Sequence, residues 1–197
     1  MPKPRSVLTH DIRPGKWTSE TLWQLPDDGN RYEIIEGELF VSPAPNWGHQ
    51  DSLGGLHLIL RPWVDQRRIG KVFFAPFDVI LSPKTVVQPD LVYIDRESLK
   101  NLRNGLEGPP TLAVEFLSPS TARVDRVKKL NAFARHGVPY YWLVDHRAQT
   151  LEAYRLVDGA YSVEWKGQDE EIFRPALFPD LEIALAQLWP DLLDDED

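Results

Sequence analysis

Three neighbouring segments decide the fold of this chain: QPDLVYID at residues 88–95, LAVEFLSPST at 112–121 and ARVDRVKKLNAFARHG at 122–137. The first places Asp90 at the start of a strand-like apolar run, and the second carries Glu115 inside another such run. Lys129 follows on a predicted helix. A carboxylate in an apolar strand is costly to bury without a partner or a metal. The order of acid, acid and lysine therefore indicates a divalent-cation site with a cationic helper.

The surrounding sequence predicts many strands. RYEIIEGELFVSP at residues 31–43 predicts a hairpin with Glu36 and Gly37 at its turn, and Asp158-Gly159 predicts a second hairpin turn. Further strands are predicted at residues 71–75, 77–81, 91–95, 112–117, 140–145, 150–157 and 160–167.

Fewer segments have helical character. The longest is predicted at residues 47–64, where Pro62 kinks or ends the helix. A second helix is capped by Ser120 or Thr121 and ends at Gly137. Short helices are predicted at residues 18–26, 96–102 and 183–189. A helix inserted among strands indicates an α+β (mixed α/β) fold.

Length and composition are those of an ordinary globular protein. The 197 residues can bury one core, so we expect a single domain over residues 1–197, with flexible termini at 1–16 and 190–197. The absence of cysteine excludes disulfides and thiolate metal sites. No signal peptide or membrane-length apolar run is recognisable, which favours a cytoplasmic protein that does not contact the membrane. The aromatic residues are in general interpreted as core rather than as platforms for base stacking.

The charge distribution bears on the partners of this protein. A net charge of −8 argues against a general nucleic-acid binder. Five of the acidic residues, however, lie in the C-terminal heptapeptide DLLDDED, and residues 123–136 carry five basic residues against one acid. The basic stretch is either a phosphate-binding face or the polar face of an ordinary helix.

Four motifs in one order resemble a known family. YEIIEGELFVSPAP with His49 and Gln50, TVVQPDLVYI, AVEFLSPST with a following lysine, and GVPYYWLVD are similar to the Uma family of restriction-endonuclease-like proteins. This family belongs to the PD-(D/E)XK nuclease superfamily. The resemblance covers about Thr18 to Leu188 and implies a restriction-endonuclease-like fold, in which helices flank a central mixed sheet.

The resemblance also implies site residues. Asp90 matches the Pro-Asp acid of the family, Glu115 matches its second acid, and Glu36 matches an N-terminal acid that joins such sites. The superfamily commonly places a lysine two residues after the second acid, where this chain has Leu117. The family variant uses a helix lysine instead, which matches Lys129.

Several neighbouring residues are further candidates. Lys128 is an alternative to Lys129, but adjacent helical residues point about 100° apart, so only one should face the acids. Asp125 lies one turn before Lys129 and either orients it or forms an ordinary ion pair. His49 matches a family position and is otherwise a structural histidine. Glu36 is otherwise a solvated turn residue, and Asp90 otherwise caps a strand.

The residue types suit one chemistry. Carboxylate ligands such as Asp90 and Glu115 favour Mg²⁺ or Mn²⁺, and phosphodiester hydrolysis uses such a metal to neutralise charge and activate water. The five histidines are scattered, which disfavours zinc. We therefore expect a metal-dependent endonuclease acting on nucleic acid, with DNA as the expected substrate. The alternative is a catalytically silent module that uses the nuclease fold for binding or assembly. A homodimer is one possible form of this module.

Overall fold

The computed structural model describes residues 16–190, in which strands outnumber helices. The strands are β1 (Arg31–Ile35), β2 (Glu38–Ser42), β3 (Gly70–Phe74), β4 (Val79–Ser82), β5 (Thr85–Val87), β6 (Leu91–Asp95), β7 (Leu106–Glu107), β8 (Leu112–Phe116), β9 (Tyr140–Asp145), β10 (Thr150–Val157), β11 (Ala160–Gln168), β12 (Ile172–Phe173) and β13 (Ile183–Ala184). The α-helices are α1 (Ser19–Leu22), α2 (Trp47–Arg67) and α3 (Leu130–Arg135). A π-helical turn at Val124–Lys129 continues directly into α3, and 3₁₀ turns lie at Ser98–Asn101 and Leu185–Leu188. The expected flexible termini lie outside the described residues, apart from residues 16 and 190.

A six-stranded mixed sheet is central to the fold. Its strand order is β11-β10-β9-β8-β6-β3, in which β8 and β9 are parallel and every other neighbouring pair is antiparallel. A second sheet has the order β2-β1-β5-β4-β7, and β12 pairs with β13. This architecture confirms the predicted α+β class with a mixed central sheet.

The central sheet packs on both faces, because successive side chains of a strand point in opposite directions. In β8, Leu112, Val114 and Phe116 belong to the core under α2, which contributes four residues: Leu53, Leu56, Leu60 and Val64. Ala113 and the following Leu117 belong to the core under α3, together with Phe133. Glu115 has the parity of Ala113 and Leu117, so it lies on the α3 side of the sheet.

The helix α2 begins where the sequence predicts but does not end at its proline. The Asn46 side chain accepts a hydrogen bond of 2.9 Å from the His49 backbone N–H and caps the helix. The helix continues through Pro62 to Arg67, because its buried face, which includes Leu60 and Val64, packs on the sheet on both sides of the proline. None of the helices within residues 16–190 combines the length and the apolar character that a membrane crossing requires.

Candidate active site

Asp90 and Glu115 lie side by side at the edge of a cavity. Leu91 of β6 pairs with Val114 of β8 in antiparallel register, so the next position pairs Asp90 with Glu115. Both face the α3 side of the sheet, and the Phe116 backbone N–H donates a hydrogen bond of 2.8 Å to Asp90 Oδ2. Both also line the same cavity of about 280 Å³. The neighbouring strands therefore bring the two predicted acids together.

The Asp90 carboxylate is buried but well supplied with partners. Arg31 Nη1 donates to its Oδ1 at 2.7 Å, and His49 Nε2 lies 3.1 Å from its Oδ2. Burial alone would raise the pKa of Asp90, but hydrogen bonding and charge from His49 and Arg31 lower it to about 2. Asp90 is therefore ionised at neutral pH.

Lys129 lies at the centre of a buried cluster of acids. Its side chain is 2% exposed, and its Nζ donates to Glu115 Oε1 at 2.7 Å. The same atom lies 2.9 Å from Glu33 Oε1 and 3.5 Å from Asp125 Oδ1. Burial alone would lower the pKa of Lys129, but attraction to these three carboxylates raises it well above its ordinary value. Lys129 therefore carries a permanent positive charge.

The helix phase separates the two adjacent lysines. Lys128 points away from the cluster, is half-exposed, and pairs with Glu38 at 3.0 Å. Asp125 and Lys129 both point inward from the π-helical turn, a local widening of the helix that is frequent at functional sites. The Asp125 carbonyl also accepts a hydrogen bond of 3.1 Å from the buried Tyr141 hydroxyl, which fixes this turn to β9.

The inner acids outnumber the cations that contact them. Burial raises the pKa of Glu115 well above its ordinary value, and the ammonium of Lys129 opposes this shift while Asp125, Asp90 and Glu33 add to it. Burial likewise raises the pKa of Asp125 to about 6. Four acids therefore share two permanent cations, Lys129 and the guanidinium that binds Asp90.

This charge imbalance is the observation that tests the expected metal. Within residues 16–190, no group of three or more histidine, aspartate or glutamate side chains forms a ready-made metal site. The residues nevertheless fit a hard divalent cation in chemical type, because Asp90 and Glu115 offer oxygen ligands to one cavity, which Glu33 and Asp125 also line. The guanidinium of Arg31 occupies one oxygen of Asp90 and would have to share it.

Glu36 does not lie at this site, and the sequence prediction for it requires correction. Glu36 sits at the turn after β1 with φ 53°, followed by Gly37 with φ 80°. Its exposed carboxylate pairs with Arg135 rather than facing the cavity. The acid that this hairpin contributes is Glu33, which is 4% exposed. Alternation along β1 turns Arg31 and Glu33 inward together and leaves the turn residue outside.

The sequence contained a signal for Glu33 that our prediction did not use. Glu33 is followed by Ile34 and Ile35, and it is buried, as Glu115 is. The argument that identified Glu115, a carboxylate beside apolar residues, therefore applies to Glu33 as well. Its Oε1 also accepts a hydrogen bond of 2.7 Å from the Gln88 backbone N–H, which ties β1 to the segment before Asp90.

Hydroxyl groups and one arginine form the rim of the cavity. The Ser118 and Thr121 hydroxyls lie 3.0 Å apart, and Ser118 Oγ also lies 3.0 Å from Ser120 Oγ. Thr121 also accepts from the Ser118 backbone N–H, so this group organises the start of the helix that carries Asp125. Arg147 lines the cavity from the segment after β9. The site thus has an acidic interior and a polar rim with one added cation.

Comparisons with known proteins bear on the family and the fold of this chain. Residues 19–186 match the model of the Uma2 family, which is described as "Putative restriction endonuclease". A search of curated proteins gives no match. Among solved structures, a putative nuclease belonging to DUF820 from Anabaena variabilis ATCC 29413 superimposes with a TM-score of 0.73 at 21% identity, over 87% of this chain and 97% of that one. This likeness shows that the two chains share the restriction-endonuclease-like fold.

Proposed function

The chain belongs to the Uma2 family, and we propose on this premise that it is a metal-dependent endonuclease that hydrolyses phosphodiester bonds in DNA. The observation that carries the proposal is the pair of buried acids Asp90 and Glu115 on one cavity, with the buried Lys129 hydrogen-bonded to Glu115 at 2.7 Å. A purely structural cluster would not need four carboxyl groups around one cavity, since each buried charge lowers stability unless it is paired.

Asp90 and Glu115 would hold the metal. Bound Mg²⁺ or Mn²⁺ supplies charge neutralisation at the phosphate and lowers the pKa of an attacking water. Asp90 is ionised at neutral pH because its pKa lies at about 2, so one ligand is ready without a proton change. Glu115 has a raised pKa and would release any proton it holds when a cation binds.

Lys129 cannot serve as a general base, because its raised pKa keeps it protonated. Its N–H groups instead hold the Glu115 carboxylate in orientation and place positive charge beside the cavity. Positive charge at that position stabilises the negative charge that develops on the phosphate during hydrolysis. Asp125 and Glu33 contact the same Nζ and act as positioning residues for Lys129.

Arg31 and His49 act on the other acid. Each contacts a different oxygen of Asp90, so together they restrict the rotation of this carboxylate. The side chain of Arg31 is 19% exposed and lines the cavity, so it can also contact a phosphate that enters. Arginine is well suited to this contact because its planar fork of donors matches phosphate oxygens.

A plasmid-nicking assay with Mg²⁺ or with Mn²⁺ tests the proposal. We expect the wild-type protein to relax supercoiled plasmid and Glu115→Gln to lose at least a hundredfold in rate. Glu36→Gln is the matched control, because that carboxylate lies outside the cavity, and it should nick like wild type. If the wild-type protein binds DNA but nicks it with neither metal, the proposed endonuclease activity is refuted and the binding module is favoured. Equal nicking by Glu115→Gln would show that a contaminating nuclease causes the signal.

A further inference from the structure

Trp47 is an exposed aromatic residue beside the candidate active site. It begins α2, is 62% exposed, and precedes by two residues the histidine that contacts Asp90. A separate cavity of about 210 Å³ lies in front of it. Three residues line both this cavity and the active-site cavity: Asn46, His146 and Arg147. The indole therefore borders a recess that adjoins the site of the proposed reaction.

The floor of this recess is closely packed. A Cβ atom on Gly48 would lie 3.3 Å from His146 Cδ2 and 3.5 Å from Pro190 Cγ, so a larger residue would push the floor outward. His146 is only 8% exposed, and its Nδ1 is buried without a hydrogen-bond partner among residues 16–190. The imidazole of His146 therefore forms a fixed wall between the two cavities.

The charge at the recess is opposite to that of the active-site interior. None of its six lining residues is acidic, although the chain as a whole carries a net charge of −8. Arg147 is exposed, and its guanidinium forms no ion pair with any residue in the range 16–190. An exposed indole face, and a guanidinium without an ion-pair partner in the described part of the chain, complement the two parts of a nucleotide, which are a flat base and a phosphate.

We propose that Trp47 and Arg147 form a nucleotide subsite in which an unpaired base stacks on the indole and its phosphate binds the guanidinium. The subsite rests on the proposed function and names its substrate class more narrowly. A base inside a duplex has both faces covered by its neighbours, so only a single-stranded or locally opened nucleotide can occupy the recess. The enzyme therefore cleaves next to unpaired nucleotides in preference to continuous duplex.

Binding measured separately from cleavage tests the subsite. All variants carry Glu115→Gln to prevent hydrolysis, and fluorescence anisotropy follows a labelled twelve-nucleotide single strand or the same sequence as a blunt duplex, with Mg²⁺ present. We expect Trp47→Ala to weaken single-strand binding about tenfold, which is typical for the loss of one stacked base, and to change duplex binding much less. Arg147→Gln should weaken single-strand binding and make its salt dependence shallower.

Trp23→Ala is the matched control. Trp23 is similarly exposed, at 60%, but it borders a different cavity that is lined by Asp78 and Glu107. It should bind both probes as the parent does. Equal losses in Trp47→Ala and Trp23→Ala, equal losses for the two probes, or no single-strand binding by the parent would each overturn the subsite.

The plasmid-nicking assay distinguishes this outcome from failure of the proposed function. If Trp47→Ala selectively loses single-strand binding but the wild-type protein does not nick plasmid, the subsite is supported and the protein is a binding module. If the wild-type protein nicks plasmid but Trp47→Ala shows no selective loss of single-strand binding, the nuclease function is supported and the subsite is refuted.

Discussion

Replacing Lys129 by methionine removes the one ammonium shared by three buried carboxylates. Its Nζ lies 2.7, 2.9 and 3.5 Å from Glu115, Glu33 and Asp125, and the lysine side chain is 2% exposed. Methionine keeps the length and apolar stem of the side chain, so the substitution isolates the charge from the packing. We therefore expect the loss of stability to report on electrostatics rather than on a cavity.

The magnitude follows from the burial of the cluster. Removing one partner of a buried ion pair typically costs 3–5 kcal/mol, because the remaining charge stays desolvated. In Lys129→Met we expect a loss of about 3–5 kcal/mol in the free energy of unfolding at pH 8, or about 6–20 °C in Tm for a chain of this size. At pH 5 the loss should be smaller, because the uncompensated acids have raised pKa values and bind protons in the folded state.

Urea unfolding at pH 5 and pH 8 measures both effects. Lys128→Met is the control, since Lys128 and Glu38 are each half-exposed and their ion pair contributes about 0–1 kcal/mol. If Lys128→Met lowers the free energy of unfolding as much as Lys129→Met does, the assignment of Lys129 to the inner face of the helix and Lys128 to the outer face is wrong. A loss in Lys129→Met that is independent of pH would refute the view that the acids around it are uncompensated.

Three further predictions concern the acids. Mg²⁺ or Mn²⁺ at about 100 times its Kd should raise Tm by about 5–10 °C, which thermal scans can measure. The double variant Asp90→Asn, Glu115→Gln should show no such increase. The pKa of Asp125 rises from 3.8 to about 6 on folding, so wild-type protein loses stability as pH rises from about 4 to 6. Asp125→Asn lacks this titration, so the difference in unfolding free energy should shift in its favour by about 2 kcal/mol over that range; an unchanged difference would contradict the shift. Glu33→Gln should slow plasmid nicking at least tenfold. The control is Glu38→Gln, because Glu38 lies on the same hairpin but is half-exposed, and this variant should nick at the wild-type rate. Equal rates for the two variants would show that Glu33 does not contribute to the site.

The strands of the central sheet were predictable where apolar runs are long enough. Residues 91–95 and 112–117 were predicted as strands and form β6 and β8 nearly as expected. The strand β5 has three residues and β7 has two, which is too short for a periodic pattern. Residues 183–189 have apolar residues at helical spacing, yet Ile183 pairs with Phe173 in a strand. Leu185–Leu188 does form a short 3₁₀ helix, so the prediction was wrong only at the start of the segment, where tertiary pairing with β12 replaces the helix.

The candidate site was predictable only in part for a related reason. Glu115 was identified because a carboxylate in an apolar run requires a partner, and Glu33 could have been found in the same way. The partners of Asp90 could not, because Arg31 and His49 lie 59 and 41 positions from it along the chain. Such contacts depend on how the second sheet and α2 pack on the first sheet.

That separation along the chain has a consequence for synthesis. The site draws on segments from Arg31 to Lys129, and the strand that carries Glu115 has β9, at residues 140–145, as one of its two neighbours. A nascent chain emerges from its N-terminus at about 5–20 residues per second, so Glu33 leaves the ribosome about 5–20 s before Lys129, which lies 96 positions later. The candidate site is therefore completed only after β9 has been synthesised.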